Sequence, residues 1–571
     1  MDSNDFVVRF AGEGGQGQVT AADALARAAA KVGYHIQTFS TFPSQILGGP
    51  TFSQVRISTE PVLSAGDELD VLVALNREAV DMHRSDVRSG GVCVYNSEEV
   101  ESDGIESGFG IEVDELAKST GNARAANMVM IGAVAELVEL PLEILESFVT
   151  DRFTRGRPND QNIIDANHKA IHLGADKARN SGFRLDQLAE PTPPKYDQLM
   201  IAGNAALAMG AKAAGLDMYV GYPISPATTI LVWMENNLTG PGKFPYQVSS
   251  EIEAIGTIIG AGFAGKKAMT ATAGPGLSLM SEGLGLAWMA EIPCVVVDVQ
   301  RGGPSTGLPT KTEQSDLFIC MHPAHGDAKM PIIAPGEVEE CFFAAVQAIN
   351  WAERYQGPVI VITEMQQADR SQNIRRPDLD SLVVEAREVY RGENGYRRYE
   401  SESVSPMPIP GGPGAYVGNG SEHDFTGDTT HRPDHHIHGT ERRFGKLKLL
   451  NDGTYEEENS GAPIAVMPWG ASKGVVREAY NLLQSEGVDL SWLYTMFLHP
   501  LPDGLLESLR GKDLVIVPEL NYQGQWSSIL RSEGVKAESI TRYDGLPFKY
   551  AELAERIKAR VEQHVQSGAV L

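Results

Sequence analysis

A rigid, hydroxyl-bearing turn is the first feature of this sequence suited to binding chemistry. Residues 221–230 read GYPISPATTI, with Ser225 between two prolines. Proline fixes φ and lacks an amide hydrogen, so the segment cannot continue as a helix or a central strand. Ligands of open α/β sheets bind at the carboxyl ends of strands, where this turn is predicted to fall. Ser225 is therefore a candidate ligand contact, and an ordinary proline-stiffened loop is the alternative.

A carboxylate follows in SSEIEAIGTIIGAGFAG, where Glu251 opens a helix rich in glycine and alanine. Small residues recur on all faces of this helix, which predicts that it is largely buried. Glu251 could cap the helix. It could instead be a buried hydrogen-bond acceptor for a ligand. The pattern alone favours capping.

An arginine completes the set in VDVQRGGPSTGLPTKTEQSD, where Arg301 lies just beyond a predicted strand. A guanidinium can hold a carboxylate through two parallel hydrogen bonds, which lysine cannot match. A surface salt bridge explains the residue equally well. The loop that follows is rich in glycine, serine and threonine.

A glycine-rich turn near the N-terminus has the form G-x-G-x-x-G between a predicted strand and a predicted helix; its residues are Gly12, Gly14, Gly15, Gln16 and Gly17. Orphan amides at such a helix start attract phosphate. A tight turn that needs glycine only for packing is equally compatible with the pattern. The next strand, HIQTFSTF, does not end in the acid that an NAD site requires, so NAD is disfavoured.

Three regions of alternating strands and helices position these residues and predict an α/β fold class. The first contains a predicted doubly wound, mostly parallel sheet, with a helix opened by Thr20. The last ends in a helix whose apolar stripe is predicted to cover its sheet: Tyr550, Leu553, Ile557, Val561 and Val565. The predicted divisions are a domain at 1–185, a linker at 186–198, a domain at 199–370, an irregular surface excursion at 371–460 and a domain at 461–571.

Composition excludes several classes of function. A net charge of −27 over 571 residues argues against a nucleic-acid-binding protein. No signal segment and no charge-free apolar run of about 18 residues is seen, so a cytoplasmic protein without a membrane span is expected. The scattered cysteines form no metal-binding pair: Cys93, Cys294, Cys320 and Cys341. A histidine cluster matches no metal site in its spacing and is expected to be solvated: His431, His435, His436 and His438.

Taken in order, the motifs GEGGQG, YPISP, SEIEAIGTIIGAGFAG, QRGGPSTGLPT and ELNYQGQ resemble the α subunit of 2-oxoacid:ferredoxin oxidoreductases. Within this family, the sequence most resembles the α subunit of the 2-oxoglutarate enzyme with the γ domain fused at its N-terminus. The resemblance covers nearly the whole chain. It implies a Rossmann-like γ domain, a pyrimidine-type thiamine-binding domain and a transketolase C-terminal-like domain.

The resemblance also implies roles for single residues. Glu251 matches the glutamate that accepts a hydrogen bond from N1′ of thiamine diphosphate. Ser225 stands at a family threonine that contacts the 2-oxo acid, Arg301 at the arginine for its 1-carboxylate, and Thr310 at a threonine of the same site. The glycine turn is implied to meet coenzyme A. Leu47 replaces an arginine common in the γ domain, which leaves that anchoring role to another residue.

Missing motifs imply a partner. The chain lacks the GDG…N motif that binds the Mg²⁺ of thiamine diphosphate, and its four cysteines cannot hold an iron–sulfur cluster. The family's β subunit is expected to supply Mg²⁺ and a [4Fe-4S] cluster, in an (αβ)2 assembly that passes electrons to ferredoxin. The isolated chain should be inactive.

The function implied is oxidative decarboxylation of 2-oxoglutarate to succinyl-CoA, or the reverse carboxylation. Pyruvate or a branched-chain 2-oxo acid is the alternative substrate. A second substrate carboxylate would require another cation, for which Lys311 and His325 lie in a suitable region. A non-catalytic assembly subunit is the alternative of another class, but it would need none of Ser225, Glu251 and Arg301. Asn521 and Gln525 of ELNYQGQW are interpreted as interface or packing residues.

Overall fold

Two compact units make up the computed structural model, which describes residues 4–42, 48–393 and 395–568. The first consists of Met1–Ile201 with Asp369–Arg376, and the second of Ala202–Ala368 with Pro377–Leu571. Within the described residues, none of the helices combines the length and the apolar character needed to cross a lipid bilayer. All three sheets combine with helices, so the predicted α/β class is confirmed.

The first unit contains an eight-stranded sheet in the order β6-β5-β4-β1-β3-β2-β14-β7. Its strands are β1 (Asp5–Glu13), β2 (His35–Thr41), β3 (Pro50–Ser58), β4 (Leu69–Ala74), β5 (Val87–Asn96), β6 (Gly108–Ile111), β7 (Gln198–Ala202) and β14 (Ser371–Arg375). Its helices are α1 (Gln18–Lys31), α2 (Arg77–His83), α3 (Val113–Ser119), α4 (Ala126–Leu137), α5 (Leu142–Phe153) and α6 (Asp160–Ser181).

This first sheet is mixed, and the prediction of a mostly parallel sheet is wrong. β1, β4, β5 and β6 are parallel, whereas β3 runs antiparallel to both β1 and β2. The connection from Thr41 to Pro50 is too short for the crossover that a parallel pair requires. The prediction that Thr20 opens the helix is also wrong, because α1 begins at Gln18 after Gly17 in a left-handed conformation.

The second unit contains a seven-stranded sheet in the order β18-β12-β13-β11-β10-β8-β9, parallel except for β18. Its strands are β8 (Met218–Gly221), β9 (Phe244–Gln247), β10 (Ala268–Thr272), β11 (Cys294–Gln300), β12 (Ile332–Ile333), β13 (Pro358–Glu364) and β18 (Phe497–His499). The helices in this region are α7 (Gly203–Ala213), α8 (Thr228–Asn237), α9 (Glu251–Phe263), α10 (Gly274–Met289), α11 (Leu317–Met321), α12 (Val338–Tyr355) and α13 (Met365–Ala368).

A third sheet, also in the second unit, has the order β15-β17-β16-β19-β20. Its strands are β15 (Glu456–Glu458), β16 (Ile464–Val466), β17 (Ser491–Tyr494), β19 (Leu514–Glu519) and β20 (Ala537–Thr541), and its helices are α15 (Lys473–Ser485), α16 (Leu505–Arg510), α17 (Gln525–Ser532) and α18 (Tyr550–Gly568). Leu553 and Ile557 of α18 are buried in the core of this sheet, as predicted. Val565 is 61% exposed, so its inclusion in the buried stripe is wrong.

The polar segment 371–460 also contains regular structure, including β14, β15 and a helix α14 (Pro433–Gly445). It contributes buried cations to an ion cluster around Glu291, at the end of α10. Arg442 Nε and Lys446 Nζ lie 2.9 and 2.7 Å from the Glu291 carboxylate. Burial alone would raise the pKa of Glu291, but Lys446, Arg442 and Arg398 together lower it. Charged side chains can be buried here because they pair with one another.

Replacing Glu291 with glutamine is expected to destabilise the second unit by about 3 kcal/mol, because it leaves buried cations without their anion. Chemical denaturation followed by circular dichroism measures the loss. Glu400→Gln is the matched control, since Glu400 belongs to a half-exposed ion pair with Arg397 and should have little effect. Equal stability of the two variants would contradict the expectation.

Candidate active site

The carboxyl ends of neighbouring parallel strands bring the predicted site residues to one edge of the second sheet. β8 pairs with β9 and β10, and β10 pairs with β11, all in parallel. Ser225 follows β8, Glu251 follows β9, and Arg301 follows β11 directly. Three stretches separated by up to 76 residues in sequence therefore meet at this edge.

Glu251 is buried at the start of α9 but does not cap it. The Ser250 hydroxyl accepts the backbone N–H of Glu253, and the Glu253 carboxylate accepts the N–H and hydroxyl of Ser249. These contacts form a variant of the capping box. Glu251 itself is 5% exposed and has no hydrogen bond to any described residue. Because a buried charge requires a partner, this carboxylate is available to an incoming donor.

The Glu251 side chain lies against the first turn of α10, where Gly276 makes room for it. A Cβ added at Gly276 would lie 2.5 Å from Oε1 of Glu251 and 2.0 Å from Oγ1 of Thr272. Only a residue without a side chain fits in this space. The cradle and its unpartnered acceptor fit a ligand that presents an N–H group, as the aminopyrimidine of thiamine diphosphate does when protonated at N1′.

Replacing Gly276 with alanine is expected to displace the Glu251 side chain and weaken thiamine diphosphate binding at least about tenfold, because a core position this tight cannot take an added methyl without movement. The dissociation constant measured by calorimetry on the assembled enzyme checks this. Gly445→Ala is the control, since Gly445 is exposed and nothing lies within 4 Å of the Cβ it would gain. Undiminished affinity in Gly276→Ala would contradict the cradle.

Arg301 joins the end of β11 to the proline-rich turn. Its Nη1 donates a hydrogen bond to the backbone oxygen of Ser225 over 2.8 Å. Its buried Nε has no partner among the described residues. Burial lowers the pKa of Arg301, and the nearby Asp316 carboxyl opposes that shift. Ser225 is exposed, and Asn204 steadies its turn by donating to the backbone oxygen of Pro226 over 3.0 Å.

The loop after Arg301 turns back on itself and carries the other predicted ligands. Gly302 N–H donates to the Lys311 carbonyl over 3.0 Å, which closes the loop beside Thr310. Thr310 is partly exposed. Lys311 is half-buried, which lowers its pKa, and it forms no ion pair with a described residue. His325 lies beyond α11 and is exposed.

The ELNYQGQW motif binds this loop from the third sheet. The Gln525 amide donates to Ser315 O over 2.7 Å and accepts Phe318 N–H over 3.0 Å. Asn521 Nδ2 donates to Gln314 O over 2.9 Å. The motif therefore packs within the chain and positions the loop beside the active site. Sequence reasoning had identified Asn521 and Gln525 as polar contacts but not their partners, which lie more than 200 residues earlier.

The glycine turn of the first unit is closed by its own hydrogen bonds. Gln16 N–H donates to Glu13 O over 3.1 Å, and Glu13 N–H donates to the Gln16 side chain over 2.7 Å. Gly15 and Gly17 have φ of 101° and 88°, which explains glycine at both positions. The turn is largely exposed at the start of α1. The predicted departure at Leu47 lies outside the described residues.

Histidines of the 431–438 segment are engaged in local contacts. His436 Nδ1 lies 2.5 Å from Glu422, and His438 Nε2 lies 2.8 Å from the Tyr399 carbonyl. Across the ranges that the structure describes, no group of three or more His, Cys, Asp or Glu side chains is arranged to hold a metal ion. The four cysteines are all buried, and none of them forms a disulfide bond.

Comparison with known proteins decides the family. A 2-oxoglutarate:ferredoxin oxidoreductase from Magnetococcus marinus, solved with 2-oxoglutarate, coenzyme A and succinyl-CoA bound, matches with a TM-score of 0.91 and 37% identity, over 98% of this chain and 100% of that one. The 2-oxoglutarate oxidoreductase subunit KorA of Mycobacterium tuberculosis is 32% identical over 97% of this chain and 91% of its own length. The chain belongs to the 2-oxoacid:ferredoxin oxidoreductase family.

Other matches agree with this family. Residues 209–441 match the thiamine diphosphate-binding model of pyruvate flavodoxin/ferredoxin oxidoreductases, and residues 7–177 match a second model of the same enzymes. The 2-oxoglutarate synthase subunit KorA of Methanocaldococcus jannaschii is 36% identical over 60% of this chain and 93% of its own length. Several relatives are named alpha subunits, so the family works as multi-subunit assemblies.

Proposed function

We propose that the chain is the α subunit of a coenzyme A-dependent 2-oxoglutarate:ferredoxin oxidoreductase. With its partner it converts 2-oxoglutarate, coenzyme A and oxidised ferredoxin to succinyl-CoA, carbon dioxide and reduced ferredoxin, or runs the reverse carboxylation. The observation that carries the proposal is the full-length match to the Magnetococcus marinus enzyme. In this proposal, residues 1–185 form the γ domain that engages coenzyme A, 199–370 the pyrimidine-type domain and 461–571 the transketolase C-terminal-like domain.

The site residues have separate tasks in this reaction. Bound thiamine diphosphate supplies the electron sink for decarboxylation. Glu251 accepts a hydrogen bond from the aminopyrimidine and so holds a proton on that ring. Arg301 binds the 1-carboxylate of the 2-oxo acid, with its free Nε–H available as a donor. Ser225 and Thr310 orient the substrate.

A dicarboxylate substrate is supported by Lys311. This half-buried ammonium lies on the loop that begins at Arg301 and lacks an ion-pair partner in the described part of the chain. A second substrate carboxylate would supply one. Pyruvate has no such group, and a branched-chain acid would place methyl groups there.

The partner is a β subunit that brings Mg²⁺, the diphosphate site and a [4Fe-4S] cluster, in an (αβ)2 assembly that reduces ferredoxin. Exposed apolar side chains beside the site support a covering subunit. Ile252, next to Glu251, is 61% exposed, and Leu279 in α10 is 52% exposed. Coverage by a second chain would remove these side chains from water.

The test is 2-oxo-acid-dependent reduction of a viologen dye by the chain co-expressed with its β subunit, with coenzyme A present. 2-Oxoglutarate, pyruvate and 2-oxoisovalerate are compared side by side. Activity largely confined to 2-oxoglutarate supports the proposal. A preference for either other acid assigns that substrate instead. A complex that carries thiamine diphosphate and clusters but turns over none of the acids would be an assembly subunit.

A further inference from the structure

Asp316 is a second, partly buried acid at the candidate active site, and the family resemblance assigned it no role. It lies just before α11, and its backbone N–H donates to the Gln300 side chain over 3.2 Å. A Cβ added at Gly274 would lie 2.6 Å from Oδ2 of Asp316. The carboxyl group therefore lies against the first turn of α10, the same turn that receives Glu251 at Gly276.

The position of Asp316 is held from the third sheet. The Gln525 side chain donates to the carbonyl of Ser315, the residue before Asp316, and accepts the N–H of Phe318, two residues after it. The Asp316 carboxyl group itself has no hydrogen bond and no ion pair with a described residue. The backbone of Asp316 is therefore held in place, whereas its carboxyl group can gain or lose a proton without breaking a hydrogen bond.

The charged groups around Asp316 come from several elements. Arg301 is the neighbouring cation, and Glu313 is a nearby acid on the same loop. Asp298 on β11 is fully buried; burial, and then the Asp316 carboxyl, raise its pKa well above the usual range, while the Cys320 thiol of α11, which donates to it over 3.6 Å, opposes the rise. Burial, and then Glu313, raise the pKa of Asp316 to about 6, and Arg301 opposes the rise.

Asp316 influences Arg301 through charge alone. Arg301 is oriented by its bond to Ser225 O, and no ion pair within 4 Å joins it to Asp316. An ionised Asp316 partly neutralises the guanidinium and repels an incoming carboxylate, whereas a protonated one does neither. We propose that Asp316 sets the strength with which Arg301 holds the 2-oxo acid, which binds more tightly when the Asp316 carboxyl is protonated. The inference rests on the proposed function, because it requires a 2-oxo acid at Arg301.

The raised pKa of Asp316 determines the direction in which KM changes with pH. Below about pH 6 Asp316 is protonated and KM for the 2-oxo acid is low; as the pH rises, Asp316 ionises and KM increases. Bound substrate favours the protonated form, so binding takes up a proton near neutral pH. Asp316 acts through Arg301 and does not touch the reacting atoms, so kcat should change little.

The experiment measures kcat and KM for 2-oxoglutarate between about pH 5 and about pH 8 on the assembled enzyme, in the wild type, Asp316→Asn and Glu313→Gln. KM of the wild type is expected to rise about tenfold across this range. Asp316→Asn should have a low KM that does not change with pH. Glu313→Gln is the matched control: it removes a carboxylate from the same loop and should shift the wild-type profile to lower pH without flattening it.

Two results would overturn the inference. One is a wild-type pH dependence of KM that persists in Asp316→Asn, and the other is a loss of kcat without a change in KM. If Asp316→Asn does not fold, the test uses the wild-type enzyme. Calorimetry in buffers of different ionisation enthalpy should then detect proton uptake when 2-oxoglutarate binds. If no proton is taken up, Asp316 does not control substrate binding. Wild-type turnover tests the proposed function separately, so the two failures are distinguishable.

Discussion

Glu251→Gln is expected to lower kcat for 2-oxo acid turnover by about a hundredfold to a thousandfold, the range typical of losing a positioned proton-transfer group. The amide keeps the shape of the carboxylate beside Gly276 but removes its charge and its two-acceptor character. Fold and subunit assembly should be unchanged, because Ser250 and Glu253 cap the helix without Glu251. Steady-state dye reduction measures the effect.

Glu253→Gln is the matched control for this prediction. It removes a carboxylate from the same helical turn, but Glu253 is exposed and its carboxylate accepts hydrogen bonds from Ser249, outside the site. Activity should stay near the wild-type level. If Glu251→Gln kept more than about a tenth of wild-type kcat, the carboxylate would not be essential to the reaction.

Arg301→Ala has the second large expected effect, a fall in kcat/KM for 2-oxoglutarate of about a hundredfold to a thousandfold. Truncating one partner of a buried, hydrogen-bonded charge pair costs about 2–5 kcal/mol, and this pair forms when the substrate carboxylate binds. Arg301→Lys should recover part of the loss, because an ammonium keeps the charge but not the paired donors. Kinetics of the assembled enzyme over a range of substrate concentrations measure both.

Arg432→Ala controls for the removal of an arginine. Arg432 is exposed, and its ion-pair partner among the described residues is Asp434, two residues along the same helix start, so the variant should match the wild type. Equal kcat/KM in Arg301→Ala and Arg432→Ala would place the substrate carboxylate elsewhere in the site.

Much of the fold was predictable because its strands are short apolar runs bounded by turn residues. CVVVDVQ and PVIVITE are strands β11 and β13, both buried along their whole length. Such runs indicate a parallel sheet with both faces covered. Glu251 and Arg301 were predictable as candidates because each follows directly on a strand or opens a helix.

The roles of these residues were less predictable, since capping and ligand binding place the same residue type at the same position. Only the contacts of Ser250 and Glu253 show that the helix is capped without Glu251. Asp316 was missed because its carboxyl group packs against Gly274, which follows a different strand. No local sequence pattern predicts the contact between Asp316 and Gly274.

The sequence of helix α14 contains residues typical of helix ends, but the composition around them predicted an irregular segment. Pro433 and Asp434 are typical of a first helical turn, and Arg442 and Arg443 of a last one. The surrounding glycine, proline and histidine content predicted an irregular segment instead. Arg442 is buried because Glu291, more than a hundred residues earlier, receives it.

Strand β14 pairs in the sheet of the first unit although it lies far from the other strands of that sheet in the sequence. The polypeptide leaves that unit after Ile201 and returns only for Asp369–Arg376, where Asn373 accepts Ile36 N–H over 2.8 Å and donates to Tyr34 O over 2.9 Å. A single cut between residues 188 and 197 would leave β1–β6 on one fragment and β7 with β14 on the other. The fragments would remain joined through backbone pairing in one sheet, as in strand complementation. The first unit is therefore held together by strand pairing at β14 as well as by the proline-rich linker.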